Sequence, residues 1–207
     1  MADILLILVI ILLSMTLHEA IHGFVAYYLG DDTAEREGRL TLNPIKHIDP
    51  FMTILLPLLL AIAGGPIFGG AKPVPFNPDR LKYDEWGAAL VAASGPLVNL
   101  FIAFVAFGLA VVSGVSSDDG VARVLYLTMV VNLGFFVFNM IPIPPLDGSR
   151  VLYALAPDFF RRGMEYVERY GIIVVFAIVL LASSVIASYM RTSIDFFVSV
   201  FSKIFGV

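Results

Sequence analysis

The sequence predicts an all-α polytopic membrane protein of about four to six transmembrane helices, plus a re-entrant Gly/Pro-rich segment with room for a short β element. Composition is the first reason. Of 207 residues 59% are hydrophobic and 14% charged, with a mean hydropathy of +0.91, too little charge for a soluble domain of this size. The second reason is a set of apolar runs that reach the roughly 20 residues a helix needs to span a bilayer. The third is that no stretch between those runs reads as a separate soluble unit. Residues 1–207 are therefore expected to form one integral-membrane domain, with a core at about 3–160 and C-terminal helices at about 171–207. There is no cysteine, so disulfides and thiolate ligands are excluded. The net charge of -4 is spread along the chain with no basic stripe, which argues against a nucleic-acid partner. The N-terminus does not read as a cleavable signal peptide, because the first Lys or Arg is Arg36.

The first span is expected from about Asp3 to Gly30, followed by a polar loop from Asp31 to Pro50. Further spans are expected at Trp86–Ser113, Val121 to about Ile141, and Gly171–Ala187. The tail from Ser193 to Val207 is short and amphipathic-to-apolar, suited to a short span or to the interface. Phe51–Ala71 is apolar but broken by Pro57 and by Gly64, Gly65, Pro66, Gly69 and Gly70. Only about 13 residues, Phe51–Ala63, are free of glycine, a length that favours a re-entrant element over a full crossing. Charge gives a second test. Without a crossing at 51–71, the loops 31–50, 72–86 and 147–170 share one side and together hold ten of the thirteen basic residues, from Arg36 to Arg169. With a crossing, those ten divide three against seven. The positive-inside rule thus favours the re-entrant reading, cytosolic loops and an N-terminus outside.

Two histidines and a glutamate interrupt the first span, as His18-Glu19-Ala20-Ile21-His22. Residues four apart lie on one helix face, about 6 Å apart in rise. That spacing suits two ligands of one Zn²⁺, with the glutamate beside a water on the metal. Ionisable side chains in hydrocarbon are costly, so a functional site is the default reading. Counting from Ile4, His18 lies roughly 21 Å along a core about 30 Å thick, which puts the metal roughly 9 Å below the exit surface.

A catalytic zinc usually takes three protein ligands and keeps a position for water. A third histidine six residues after His22 is absent, since that residue is Tyr28. His47 stands beside Lys46 and Asp49 in a loop expected to face water, which makes it a weak candidate. Asp147 is the better one. It follows Pro142, Pro144 and Pro145 at the end of the third clear span and precedes Gly148. Prolines stop the helix and glycine permits a tight turn, so the carboxylate can fold back toward the bilayer interior. Simple helix capping by Asp147 is the bland alternative.

Three separated motifs carry a family likeness: His18-Glu19-Ala20-Ile21-His22, Ser94-Gly95-Pro96-Leu97-Val98-Asn99, and Asn139 through Pro142 to Leu146-Asp147-Gly148. With the loop 38–50 and the stretch 70–78, the chain resembles the site-2 protease (M50) intramembrane metalloproteases of the short bacterial type, over about residues 3–160. The resemblance implies one zinc per chain, held by His18, His22 and Asp147, and cleavage of transmembrane protein substrates within the membrane. It also places Asn139 near the site. The short loops leave no place for the PDZ domain of longer members.

The expected chemistry is metal-assisted peptide hydrolysis. Zinc lowers the pKa of a bound water from 15.7 to about 7, and Glu19 takes its proton and passes it to the departing amine. Asn99 sits mid-span after Gly95-Pro96, where its amide either stabilises an oxyanion or substrate backbone or bonds another helix. Asn139 either pairs with extended substrate or satisfies carbonyls freed by Pro142 or Pro144. The segments 64–70 and 72–78 offer an edge for an unwound substrate strand, or else a plug over the site. Phe135, Phe136 and Phe138 read as lipid-facing or packing surface, and Arg161, Arg162 and Arg169 as a cytosolic loop near anionic lipid. Two other classes compete: a metal-sensing or metal-transporting membrane protein, and a catalytically inactive relative. The first would need polar residues tracking across the bilayer, and the spans from 86 to 141 offer only scattered Ser, Thr and Asn; intact Glu19 argues against the second.

Overall fold

The structure, a computed structural model, describes residues 2–55, 70–114 and 119–207. Among these residues it is helical with no strand. Three helices are long and apolar enough to cross a membrane. They are α1 (Ala2–Tyr28), α3 (Asp84–Ser113) and α4 (Gly120–Asn139), with the short helix α2 (Thr33–Arg36) following the first. Leu5, Leu8 and Leu13 on α1, and Leu90, Leu97 and Phe101 on α3, remain exposed. That is the surface a lipid-facing helix presents, since only its inner stripe packs on protein. α3 lies at the centre, against both α1 and α4.

Cross-helix hydrogen bonds fix the directions. Along α1, His18 meets Asn99 and His22 meets Val91 on α3, so these helices are antiparallel. Ser14 meets Asn132 on α4 and His18 meets Asp147 just beyond it, so α1 and α4 run parallel. The chain therefore leaves α1 and re-enters α3 at the same end of the bundle. Lys82 N–H donates to Leu29 O at 2.9 Å, and Asn77 N–H to Asp31 Oδ2 at 2.6 Å. The ends of the intervening stretch thus meet, as a non-crossing 51–71 segment requires. Pro50–Leu55 forms a short π-helical turn, and most of the Gly/Pro-rich stretch, residues 56–69, lies outside the described residues. The strand anticipated for this region does not occur in residues 70–77.

After α4, Asp147–Leu155 (α5) packs against α3. The amphipathic α6 (Asp158–Glu168) is tied to α5 by the Arg150–Glu168 ion pair. Tyr153 O–H donates to Glu165 Oε1 at 2.6 Å, and that bond pushes the phenol up to about 12. Arg161 is drawn into this group, donating to Tyr153 O and Ala154 O, while Arg162 and Arg169 stay exposed.

The continuous span expected at 171–187 is instead two helices, α7 (Gly171–Leu181) and α8 (Ser183–Phe205). The break falls at Ala182, just before Ser183 and Ser184, whose hydroxyls compete for helical backbone groups. Eleven residues of α7 rise only about 16 Å, too short for a crossing. α8 packs on α4 and α3. Phe201 fills a cluster with Ala103, Ala106, Met129 and Leu133, and Phe136 stacks edge-on against Phe197.

Candidate metal centre

A polar seam runs from the middle of α1 and α4 toward the end where these helices finish. His18, His22, Asn99, Asn132 and Ser14 are all buried there. His18 Nε2 lies 3.1 Å from His22 Nε2 and 3.1 Å from Asp147 Oδ2, and His22 Nε2 lies 3.6 Å from the same oxygen. These residues form a group able to hold a metal ion. For bonds of about 2.0–2.1 Å, the edge of a tetrahedral coordination shell is roughly 3.3–3.4 Å. The observed triangle brackets that edge.

The protonation pattern also calls for a cation. His22 Nδ1 donates to the backbone carbonyl of Val91 at 2.7 Å. His18 Nδ1 lies 2.6 Å from Asn99 Oδ1, an acceptor, so it too carries hydrogen. When the rings are neutral, each turns an Nε2 lone pair toward the other and toward a carboxylate oxygen. Three such atoms this close, largely cut off from water, suit a positive charge among them, whether a proton or a metal ion. Two imidazoles and one carboxylate, with their other ring nitrogens bonded to protein, form a donor set and outer shell found around catalytic zinc.

Local sequence explains how these side chains converge. A Cβ on Gly95 would lie 2.7 Å from His18 Nε2 and closer still to His22 Nε2, so only glycine leaves the triangle open. Ser94 Oγ donates to Val91 O at 2.6 Å, helping to hold the carbonyl that orients His22. The turn after α4 folds so tightly that a Cβ on Gly148 would run into the Met140 backbone. That return is what brings Asp147 back to α1.

Glu19 is half-buried beside this group, and its Oε2 accepts from Val74 N–H at 2.8 Å. Val74 itself is buried. Its segment is held by Arg39 Nη2 donating to Lys72 O at 2.7 Å and by Lys72 N–H donating to His47 O at 2.9 Å.

The other sequence candidates are placed differently. Asn99 is fully buried, with Oδ1 on His18 and Nδ2 donating to Asn132 Oδ1 at 2.8 Å. It bonds helices and faces no open space. Asn139 Nδ2 donates to Phe135 O at 3.0 Å, one turn back in α4, and does not join the cluster. His47 is buried, contrary to the water-facing expectation, because its Nε2 bonds Thr41 O at 2.8 Å inside the loop. It takes no part in the metal group.

Sequence reading passed over Asn132, Ser14 and the bond of Val74 N–H to Glu19, having read the 72–78 backbone as an edge for substrate or a plug. A signal existed for the first two: each is a polar residue in an apolar span, and Ser14 lies one turn before His18 on the same face. A backbone donor such as that of Val74 leaves none.

Comparison with known proteins points the same way. The family model described as Peptidase family M50 matches residues 109–182, a stretch with Asn132, Asn139 and Asp147 but not the two histidines. The chain is 39% identical over 204 residues to "Putative zinc metalloprotease YwhC" of Bacillus subtilis (strain 168), covering 94% of this chain and 90% of that one. The chain belongs to peptidase family M50. A more distant M50 relative, "Putative zinc metalloprotease Rip2" of Mycolicibacterium smegmatis, is 31% identical over 170 residues, or 79% of this chain and 62% of its own. No solved structure matches the chain. Together, M50 membership and three membrane-length helices make this a multi-pass membrane protein.

Proposed function

We propose that the protein is an intramembrane zinc endopeptidase that hydrolyses peptide bonds in or near the transmembrane segments of membrane-bound substrates. The observation that carries this reading is the convergence of His18, His22 and Asp147 on one point, with Glu19 beside it in the same helix. Zn²⁺ is the cofactor, one per chain, and those three side chains would hold it. When bound it would supply Lewis acidity, polarising the scissile carbonyl and making water more acidic near neutral pH.

The chain's own residues do the rest. Glu19 receives a proton at one carboxylate oxygen and returns it to the leaving amine, while Val74 N–H holds the other oxygen in place. Val91 O and Asn99 Oδ1 keep the two imidazoles facing the centre. The bundle walls exclude bulk water from a peptide bond that has to be unwound to be cut. Because Val74 N–H is engaged by Glu19, the segment 70–77 sits over the base as a cover, and a substrate strand pairing there would have to displace it. The basic loops 31–50, 72–86 and 147–170 are assigned to the cytosolic side, with the site facing the cytosol and the N-terminus outside.

Cleavage of a membrane-spanning peptide by the purified chain in zinc-loaded proteoliposomes tests the reading. Glu19→Gln is expected to lower turnover by about 10²–10⁴-fold, the range for a general base. Equal turnover in wild type and Glu19→Gln would refute it.

A further inference from the structure

We infer that Asn132 is a positioning residue which, through Asn99, sets the tautomer of His18 before any metal arrives. The inference rests on the metal-centre reading for its purpose, but its geometry is independent of it. Asn132 is fully buried in the middle of α4, two side chains away from the histidine ring.

Its orientation follows from one group that cannot change role. Asn132 Nδ2 lies 2.8 Å from the backbone carbonyl of Thr128, which only accepts. The amide nitrogen must therefore point there, and it also donates to Ser14 Oγ at 2.9 Å. Oδ1 of Asn132 is then turned to Asn99 at 2.8 Å, so Asn99 must present its NH₂ to α4. That leaves Asn99 Oδ1 facing His18 Nδ1 at 2.6 Å, and the ring nitrogen must carry the hydrogen.

Reversing any member would set two acceptors or two donors against each other in a buried site, at the cost of unpaired polar groups. The chain Thr128 O, Asn132, Asn99, His18 thus has one permitted sense, and it fixes the hydrogen on His18 Nδ1 and turns Nε2 toward the ligand group. His22 needs no such relay, because its Nδ1–H sits directly on a backbone carbonyl, that of Val91. Two histidines in one site are oriented by the same kind of fixed acceptor, one at first hand and one through two amides. Ser14, one turn before His18 on α1, closes the circuit back onto the helix that bears the ligand.

The protein contains only three histidines, which makes the tautomer directly readable. The experiment uses the full chain in nanodiscs, labelled with ¹⁵N-histidine, first without metal and then titrated with Zn²⁺ against a competing chelator. Wild type is expected to show a hydrogen held at His18 Nδ1 throughout. Asn132→Leu, and Asn132→Ala as a second variant, are expected to mix the His18 tautomers, leave His22 unchanged, and weaken zinc binding about 10–100-fold, the usual effect of losing an outer partner of a metal ligand. Buried asparagine bonds between membrane helices contribute little to folding on average, so both variants are expected to assemble.

An unchanged His18 tautomer would overturn the relay. So would equal disturbance of His18 and His22, or failure of both variants to fold, since each assigns Asn132 to packing. Absence of zinc binding in wild type would instead overturn the metal reading, while the metal-free tautomers still decide the relay.

Discussion

Two neighbouring helix contacts in the bundle are built on different physics. In one, α1, α3 and α4 meet through Ser14, His18, His22, Asn99 and Asn132, all buried and held by directional bonds of 2.6–2.9 Å. In the other, α3, α4 and α8 meet through Ala103, Ala106, Met129, Leu133 and Phe201. There the Phe104 and Phe201 rings lie edge-on at 5.2 Å, and a Cβ on Gly108 would lie 2.5 Å from Phe205. In lipid no hydrophobic force drives helices together, so the apolar contact relies on close shape fit and the polar one on satisfied hydrogen bonds. Shape fit tolerates small losses. A polar seam with one sense of hydrogen bonding does not, and the chain places its chemistry in the part that cannot slip.

That contrast can be broken most severely at Gly95. Gly95→Ala puts a methyl group into the triangle of ligand atoms, and zinc affinity is expected to fall by more than the about 10–100-fold of a lost outer partner. Chelator competition on the purified protein measures it. Retained affinity would mean that the ligands do not converge where the two Nε2 atoms place them. A subtler break is Val74→Pro, which removes the N–H on Glu19 while leaving the metal ligands alone. Turnover is expected to drop about 10–100-fold, a part of the general-base contribution, with zinc content unchanged. Activity equal to wild type would show that the cover segment does not orient Glu19.

Phe201→Ala sharpens the comparison from the apolar side. It should cost less than the about 3–5 kcal/mol of the same change in a water-soluble core, because lipid forfeits the transfer contribution and leaves mainly the cavity. The expected result is a lower thermal midpoint with zinc content and turnover per folded molecule intact. Loss of zinc in this variant would show that the two contacts are coupled.

How far the sequence discloses this arrangement depends on range. The three long spans were legible because hydropathy is local and summed over 20 residues. The pairing of His18 with His22 was legible because helical periodicity alone puts residues four apart on one face. Asp147 needed the turn chemistry of Pro142–Gly148 and a likeness to a known family. The break at Ala182 was missed, since apolarity continues across it and only Ser183 and Ser184 hint at an interruption. The amides were left open between two roles for a different reason. Whether Asn99 faces a substrate or another helix depends on Asn132, 33 residues away, and no periodicity connects them. The burial of His47 likewise depends on a loop that curls back to offer Thr41 O.

Zinc per chain in purified wild type, Glu19→Gln and Asp147→Ala is the most direct test of the proposed centre. About one zinc in wild type and in Glu19→Gln, with loss in Asp147→Ala, is the expected result, because Asp147 is assigned as a ligand and Glu19 as a base. Undiminished zinc in Asp147→Ala would contradict it, for the oxygen at 3.1 Å from His18 Nε2 would then be a bystander.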